Sequence, residues 1–344
     1  MRKLVTPGRL IAAGLLLAGI TFAVLWLAPA SDYIFLPDRA KPVAPLVSVR
    51  GERKTSDGGG IYLLDVLVRK ATLLESLFPS IRHGSTLVPT RTVNPPGEGE
   101  KARERQDQLS MARSREIAAA VGLRTLGYKV TARSIGALVE QVFQGTPAAG
   151  RLAAGDVLVS VDGRPVRSPA DLRALVSSHR PGSRVRLGLR DRRGVRTVVL
   201  RTARDQSDPS RAVIGVLVGQ AAQITLPFPV RIDVGDIGGP SAGLAFALDV
   251  MEELGRDVDQ GYRVAATGEL ALDGSVLPVG GLKQKTLGAR RSNMDVLLVP
   301  AGDNAREANR YAGTLRVLPV QSFRQALRAL ATLPRKVSVE PKTG

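Results

Sequence analysis

Gly280-Gly281-Leu282-Lys283-Gln284-Lys285 ends a long run of sequence without lysine: none occurs between Lys129 and Lys283, and then two stand within three positions. Upstream lies Gly238-Gly239-Pro240-Ser241-Ala242-Gly243. The chain is rich in Arg, which supplies 39 of its 49 basic residues. A guanidinium cannot release its proton inside a protein, whereas an ammonium can. Lysine at this place therefore points to a proton that has to move, and the nearby serine supplies a group to receive the chemistry. The pattern predicts a Ser-Lys dyad, with Ser241 as nucleophile and one of the two lysines as general base. Two lysines on a surface helix with no such serine would be ordinary solvated charges.

Working outward, Val230-Arg231-Ile232-Asp233-Val234 alternates as a strand, and Pro240 stands where a proline opens a helix. That helix is expected to run through Leu244, Phe246, Leu248 and Met251 to Leu254, with Gly255 as its stop. Ser241 would then sit in the first turn, where unpaired amides and the positive helix end favour an oxyanion. Gly239 and Gly243 are expected to let a substrate backbone come close. For Lys285 to act as a base its pKa must fall from about 10.4 to roughly 7 or 8. Burial among Leu277, Val279 and Leu282, and a helix start near Gly281, would do this. Residues two apart on a helix point about 200° apart, so Lys283 and Lys285 cannot both face Ser241; Lys283 is expected to be solvated.

The rest of the chain sets where such a dyad works. It has 344 residues, 44% hydrophobic and 23% charged, enough for two or three domains. There is no cysteine, which excludes disulfides and thiolate metal sites, and the two histidines, His83 and His179, are far apart; no metal and no cofactor is expected. The net charge of +18 comes from Arg spread through every segment with few aromatics, so no nucleic-acid partner is expected. Residues 10–28 form an uncharged apolar run preceded by Arg2, Lys3 and Arg9, long enough to cross the ~30 Å bilayer core. The basic end predicts a cytoplasmic N-terminus, with the body outside the cell membrane on a single-pass anchor. Ala28-Pro29-Ala30 also has the small-x-small form of a signal-peptide cleavage site, but the run exceeds a signal core and proline suits such a site poorly, which favours an uncleaved anchor.

The segments read as follows: 1–9 a basic end, 10–29 the anchor, 30–60 a linker rich in Pro, Gly and charge, and 61–127 an α/β segment packing on the body. Within that segment 61–68 reads as one strand, 72–78 as a helix, 90–100 as a loop around Asn94-Pro95-Pro96-Gly97, and 106–126 as a helix stopped at Gly127. Residues 334–344 read as a polar tail.

Residues 128–204, through Ser134-Ile135-Gly136-Ala137-Leu138, Gly145-Thr146-Pro147-Ala148, Gly155-Asp156 and Val161-Asp162-Gly163, resemble a PDZ domain of bacterial envelope proteases. The resemblance implies peptide addition beside a strand starting near Ala137. It implies a carboxylate-binding loop at Ser134, Ile135 and Gly136, with Leu138 and Leu172 or Leu175 bordering a side-chain pocket.

Gly239-Pro240-Ser241-Ala242-Gly243, Thr267-Gly268-Glu269-Leu270 and 276–285, taken in order, resemble the proteolytic domain of Lon, over residues 209–333. The resemblance implies that Ser241 is the nucleophile, Lys285 the base and Thr267 a hydroxyl neighbour of the lysine. Gly235-Asp236-Ile237-Gly238-Gly239-Pro240 superficially resembles the nucleophile turn of trypsin-like proteases, but Ile237 stands where that serine would be. No phosphate-binding Gly-x-x-x-x-Gly-Lys-Ser/Thr loop occurs. The order of parts resembles the membrane-anchored, PDZ-containing Lon-like proteases of Gram-positive bacteria, and the Arg-rich usage suits an actinobacterial source.

The expected fold is α+β: an N-terminal transmembrane helix, a β-rich PDZ-like domain and a mixed α/β Lon-type proteolytic domain. The expected function is ATP-independent serine endopeptidase activity on flexible or unfolded extracytoplasmic polypeptides, with a homo-oligomer suggested by analogy. The alternative is a catalytically silent envelope scaffold that binds protein tails.

Overall fold

The computed structural model describes residues 7–49, 59–93, 100–191, 194–205, 208–235 and 237–336. Helix α1, Pro7–Leu27, is apolar and exposed along its length. It leads directly into strands β1 (Pro29–Pro37), β2 (Lys41–Pro42) and β3 (Val47–Val49). The expected linker at 30–60 is therefore mostly folded. Its composition is polar, but Tyr33, Ile34, Val43, Val47 and Val49 are all buried, and those few side chains decide the matter. Residues 50–58 of that stretch, Arg2 and Lys3 of the basic end, 94–99 of the expected loop and 337–344 of the expected tail lie outside the described residues.

The single strand expected at 61–68 is two. Strand β4 spans Gly60–Leu63, and β5, Val66–Thr72, starts a different sheet. Asp65 makes the corner, its Oδ1 accepting from the Val66 N–H at 2.7 Å. Thr72 and Glu75 form a capping box that starts helix α2, Leu73–Leu77. Strand β6 spans Thr86–Val88, a single helical turn occupies Thr90–Val93, and the long helix α3 runs Glu100–Thr125, six residues earlier than its apolar spacing suggests.

Next comes a six-stranded antiparallel sheet whose main path is β7 (Thr131–Val142), β8 (Val157–Val161), β9 (Arg184–Asp191), β10 (Gly194–Arg201) and β11 (Val216–Thr225), in the spatial order β10-β9-β8-β7-β11, with the two-residue strand Arg164–Pro165 beside β8. Helix α4, Pro169–Ser177, is capped by Ser168 and packs on it. Its core of Ala137, Val139, Leu158, Leu187, Leu189 and neighbours is separate from the main one. Because β11 pairs with β7 along its whole length, this unit ends near residue 225 rather than 204.

After it come β12 (Val230–Ile232), helix α5 (Gly243–Glu253), β13 (Arg263–Ala266), β14 (Glu269–Leu270), helix α6 (Leu282–Arg291), β15 (Val296–Pro300), α7 (Asp303–Tyr311), β16 (Arg316–Val320) and α8 (Phe323–Ala331). The central sheet has the order β2-β4-β13-β15-β16, with β4, β13, β15 and β16 parallel. Strand β4 thus lies inside the sheet beside β13, and β3 pairs with β12. Ile61, Leu63, Met111, Ile117, Val121 and Leu123 share one core with Leu244, Phe246, Leu248, Val264 and Leu298. Residues 29–125 are therefore not a segment packed on the outside. Strands β2, β3 and β4 and helix α3 belong to the C-terminal domain, and the six-stranded β unit is inserted into it. The two ends of the insert meet, since Thr131 pairs with Thr225 and the Tyr128 and Phe228 rings stand edge to face at 5.1 Å.

Candidate active site

Ser241 is not in the first turn of a helix. α5 begins at Gly243 with Ala242 as its cap, and Ser241 stands just ahead of it in a turn. The turn is fixed by its backbone. Gly239 has φ +84, a left-handed conformation, and its N–H donates to the Asp107 carbonyl at 3.0 Å. At Gly243 an added Cβ would come within 2.9 Å of Ser114 Oγ and 3.2 Å of the Leu270 amide. Gly243, expected to admit a substrate backbone, thus admits the protein's own helix α3, whereas a side chain at Gly239 would meet open space and only the backbone angle asks for glycine there.

Lys285 reaches this turn from α6. Its Nζ lies 2.8 Å from Ser241 Oγ and 3.1 Å from Thr267 Oγ1. Thr267 follows β13, is fully buried, and donates its own hydroxyl proton to the Ser241 carbonyl at 3.3 Å. Its oxygen is thereby left to accept an N–H from Lys285. A neutral amine that donates to Thr267 keeps its lone pair for the Ser241 hydroxyl proton, which is the arrangement a general base needs.

Lys285 is only 4% exposed. Burial disfavours its charged form and lowers the pKa to about 8, opposed by the negative charge of nearby Asp65. Leu282 is fully buried and Val279 partly, but Leu277, expected to help cover the amine, is exposed. With a folded-state value below the ordinary 10.5, Lys285 is protonated in both states below pH ~8. Between about 8 and 10.5 only the unfolded chain holds the proton, so stability rises with pH through that window, by an amount on the order of 3 kcal/mol. Lys285 can accept a proton from Ser241 only above the folded value. Hydrolysis at limiting substrate is therefore expected to fall about tenfold per unit below pH ~8. Asp65→Asn should move the profile toward lower pH, because the charge that favours the ammonium is gone. A profile that stays in place, or moves to higher pH, would show that Lys285 does not sense Asp65.

Lys283, expected to be solvated, is tied down. Its Nζ donates to the Ser85 carbonyl at 2.8 Å and to Thr86 Oγ1 at 3.2 Å, and lies over the Tyr311 ring. It faces away from Ser241, as the helical angle demands, and joins α6 to β6.

The expected peptide-binding loop is placed differently. Ser134, Ile135 and Gly136 lie inside β7. At Ala137 and Leu138 that strand is paired on both sides, with Leu158 and Val157 of β8 and with Gln220 and Gly219 of β11. No strand can add there. Of the two edge strands of this sheet, β10 and β11, it is β11 that lies beside α4. Gln220 Nε2 donates to the Arg167 carbonyl near the start of α4 at 2.9 Å. Just before β11, the carbonyls of Ile214 and Gly215 accept from Ala148 and Phe143, while the amides of both residues make no hydrogen bond among the described residues. Leu172 is buried in the core beneath, and Leu175 is half-buried on α4. The signal was available in Val213-Ile214-Gly215-Val216, where an apolar-Gly-apolar step precedes an alternating strand.

A cleft of about 490 Å³ separates the inserted unit from the catalytic turn, lined among others by Arg113, Glu140, Leu217, Pro240 and Glu269. Burial raises the pKa of Glu140 and Glu269 and lowers that of Arg113.

Comparison with known proteins matches residues 232–330 to the Lon protease (S16) C-terminal proteolytic domain. The domain carrying Ser241 and Lys285 is of the Lon type. Lon protease of Vibrio parahaemolyticus is 40% identical over 110 residues, 30% of this chain and 14% of that protein; Lon protease of Rhizobium meliloti is 36% identical over 107 residues, 30% of this chain and 13% of its own. The chain thus matches only about one seventh of the length of these relatives. Residues 124–202 match the PDZ domain. A solved PDZ domain, from the SdrC-like protein of Listeria monocytogenes, aligns with 24% of this chain and 87% of its own at 22% identity and TM-score 0.23. The inserted unit is PDZ-like, and the Lon-type domain is continuous in space although split in sequence by it.

Proposed function

We propose that this chain is a membrane-anchored serine endopeptidase that hydrolyses peptide bonds in flexible extracytoplasmic polypeptides without ATP. The observation that carries the reading is the 2.8 Å approach of a buried, pKa-lowered Lys285 to Ser241. Ser241 Oγ attacks the scissile carbonyl carbon, its proton passes to Lys285 Nζ, and the leaving amine takes that proton as the C–N bond breaks. Lys285, neutral again, takes a proton from the water that attacks the acyl-serine and returns it to Ser241 Oγ as the ester C–O bond breaks, which releases the carboxylic acid product and restores both groups.

The anchor reading rests on α1, the one helix among the described residues long and apolar enough to cross a membrane. Cleavage after Ala30 would cut into β1, where Pro29 pairs with Thr72, which favours retention of the anchor. The PDZ-like unit serves as a docking site for substrate or regulatory tails, with the unpaired amides of Ile214 and Gly215 suited to a terminal carboxylate and the β11 edge to an added strand. A silent scaffold would have no use for a lowered lysine pKa beside a serine.

One experiment tests substrate and topology together. A loosely structured polypeptide supplied outside intact protoplasts should be cleaved with no nucleotide present, while a stable compact domain survives. Cleavage that requires nucleotide, or none outside the cells despite activity of the solubilised protein, would overturn the corresponding part of the reading.

A further inference from the structure

Helix α3 lies outside the family match, and its sequence suggested no chemistry. Yet it holds the nucleophile turn at two points. The Asp107 carbonyl accepts from the Gly239 amide at 3.0 Å, and the Ser114 hydroxyl donates to the Pro240 carbonyl at 3.0 Å. Ser114 is 3% exposed, wedged against Gly243. A serine within a helix commonly bonds back to a carbonyl on its own helix; this one donates across to the turn.

A peptide unit is planar and trans, so its C=O and the following N–H point in opposite directions. Fixing the Pro240 oxygen on α3 therefore turns the Ser241 N–H away from α3. On the other side of the nucleophile, the Ser241 carbonyl is held by the Gly268 amide at 2.8 Å and by Thr267 Oγ1 at 3.3 Å. The Pro240 oxygen also accepts from the Gly243 amide, at a longer 3.3 Å, so both peptide units that flank the Ser241 Cα are clamped, the first chiefly by Ser114. The amides of Ser241 and Ala242 have no acceptor among the described residues, and both stand at the amino end of α5, where the helix dipole favours negative charge.

We infer that Ser114 is a positioning residue of the catalytic reaction: it sets the plane of the Pro240–Ser241 peptide so that the Ser241 N–H is a preformed donor to the oxyanion. When Ser241 Oγ bonds to the substrate carbonyl carbon, the carbonyl π electrons move to its oxygen, and this amide meets that charge without turning first. The inference rests on the Ser-Lys reading.

The test uses the full chain and the variants Ser114→Ala and Ser114→Cys, with kcat expressed per site titrated by a fluorophosphonate and with a peptidyl boronate as a mimic of the tetrahedral adduct. Loss of one oxyanion donor costs about 10²–10³ in kcat. Ser114→Ala, which leaves the Pro240 carbonyl held only by the longer bond from the Gly243 amide and so loosens the donor without removing it, should lose about 10- to 100-fold in kcat with KM unchanged within about twofold. Boronate affinity should weaken by the same factor. Ser114→Cys, a weak donor, should lie between alanine and wild type, and it carries the test if Ser114→Ala does not fold. A merely structural serine would lower the melting temperature and the number of active sites, while kcat per site and boronate affinity stayed at wild-type values; that result overturns the inference. A wild-type protein that neither hydrolyses peptides nor takes the fluorophosphonate would instead overturn the protease reading, and this inference with it.

Discussion

Lys285→Arg is expected to abolish peptide hydrolysis as completely as Ser241→Ala. Arginine keeps the positive charge and the hydrogen-bond donors but cannot give up its proton, so Ser241 keeps its own. Lys285→Ala should be equally inactive. Members of one catalytic unit do not contribute additively, and each loss should be on the order of 10⁴ to 10⁶ in kcat. Lys283→Ala makes the contrast. It removes two hydrogen bonds to the Ser85–Thr86 segment, should cost about 1–2 kcal/mol of stability, and should keep most of the rate. Steady-state hydrolysis of an unstructured peptide, with melting temperatures as the check on folding, separates these outcomes. Survival of activity in Lys285→Arg with its loss in Lys283→Ala would put the base two residues upstream.

The second large effect concerns which part of the chain can fold. A fragment of residues 209–336, the 209–333 span that the sequence alone suggests for the catalytic domain with three residues beyond it, is expected to remain unfolded. It lacks β4 from the central sheet and α3 from the back of α5. With them go Ile61, Leu63, Met111, Ile117, Val121 and Leu123, each worth roughly 1.5–3 kcal/mol when buried. That sum exceeds or matches the roughly 5–15 kcal/mol net stability of an ordinary domain. Replacing residues 131–225 by a short Asn-Gly turn should be tolerated instead, because Thr131 and Thr225 are paired neighbours and the insert has a core of its own. Circular dichroism and thermal unfolding of both proteins decide the question. A cooperatively folded 209–336 fragment, or collapse of the insert deletion, would contradict the split-domain architecture.

The dyad was legible because its signals are local. The lysine-free run, the helical angle between Lys283 and Lys285 and the Gly-Pro-Ser turn all lie within a few residues of the groups concerned. The architecture was not, because it depends on pairings that sequence spacing cannot show. The β4–β13 and β3–β12 pairings join residues about 200 positions apart, and the prolines and charges of 30–60 hide a handful of buried side chains. The peptide-binding edge was misplaced for the same reason. Ser134 to Leu138 reads well as a loop entering a strand, and only the pairing of β11 with β7 shows that this strand has no free edge. Ser114 escaped notice because a serine in an amphipathic helix carries no local sign of what it touches.

Activation of Ser241 by a neutral Lys285 is tested most directly by peptide mapping, by mass spectrometry, of the folded protein after treatment with a fluorophosphonate at pH ~8.5. A single adduct on Ser241 in the wild type, absent from a folded Lys285→Arg variant, is the predicted result. A folded wild type without an adduct, an adduct on another serine, or equal labelling of Ser241 in Lys285→Arg would contradict it.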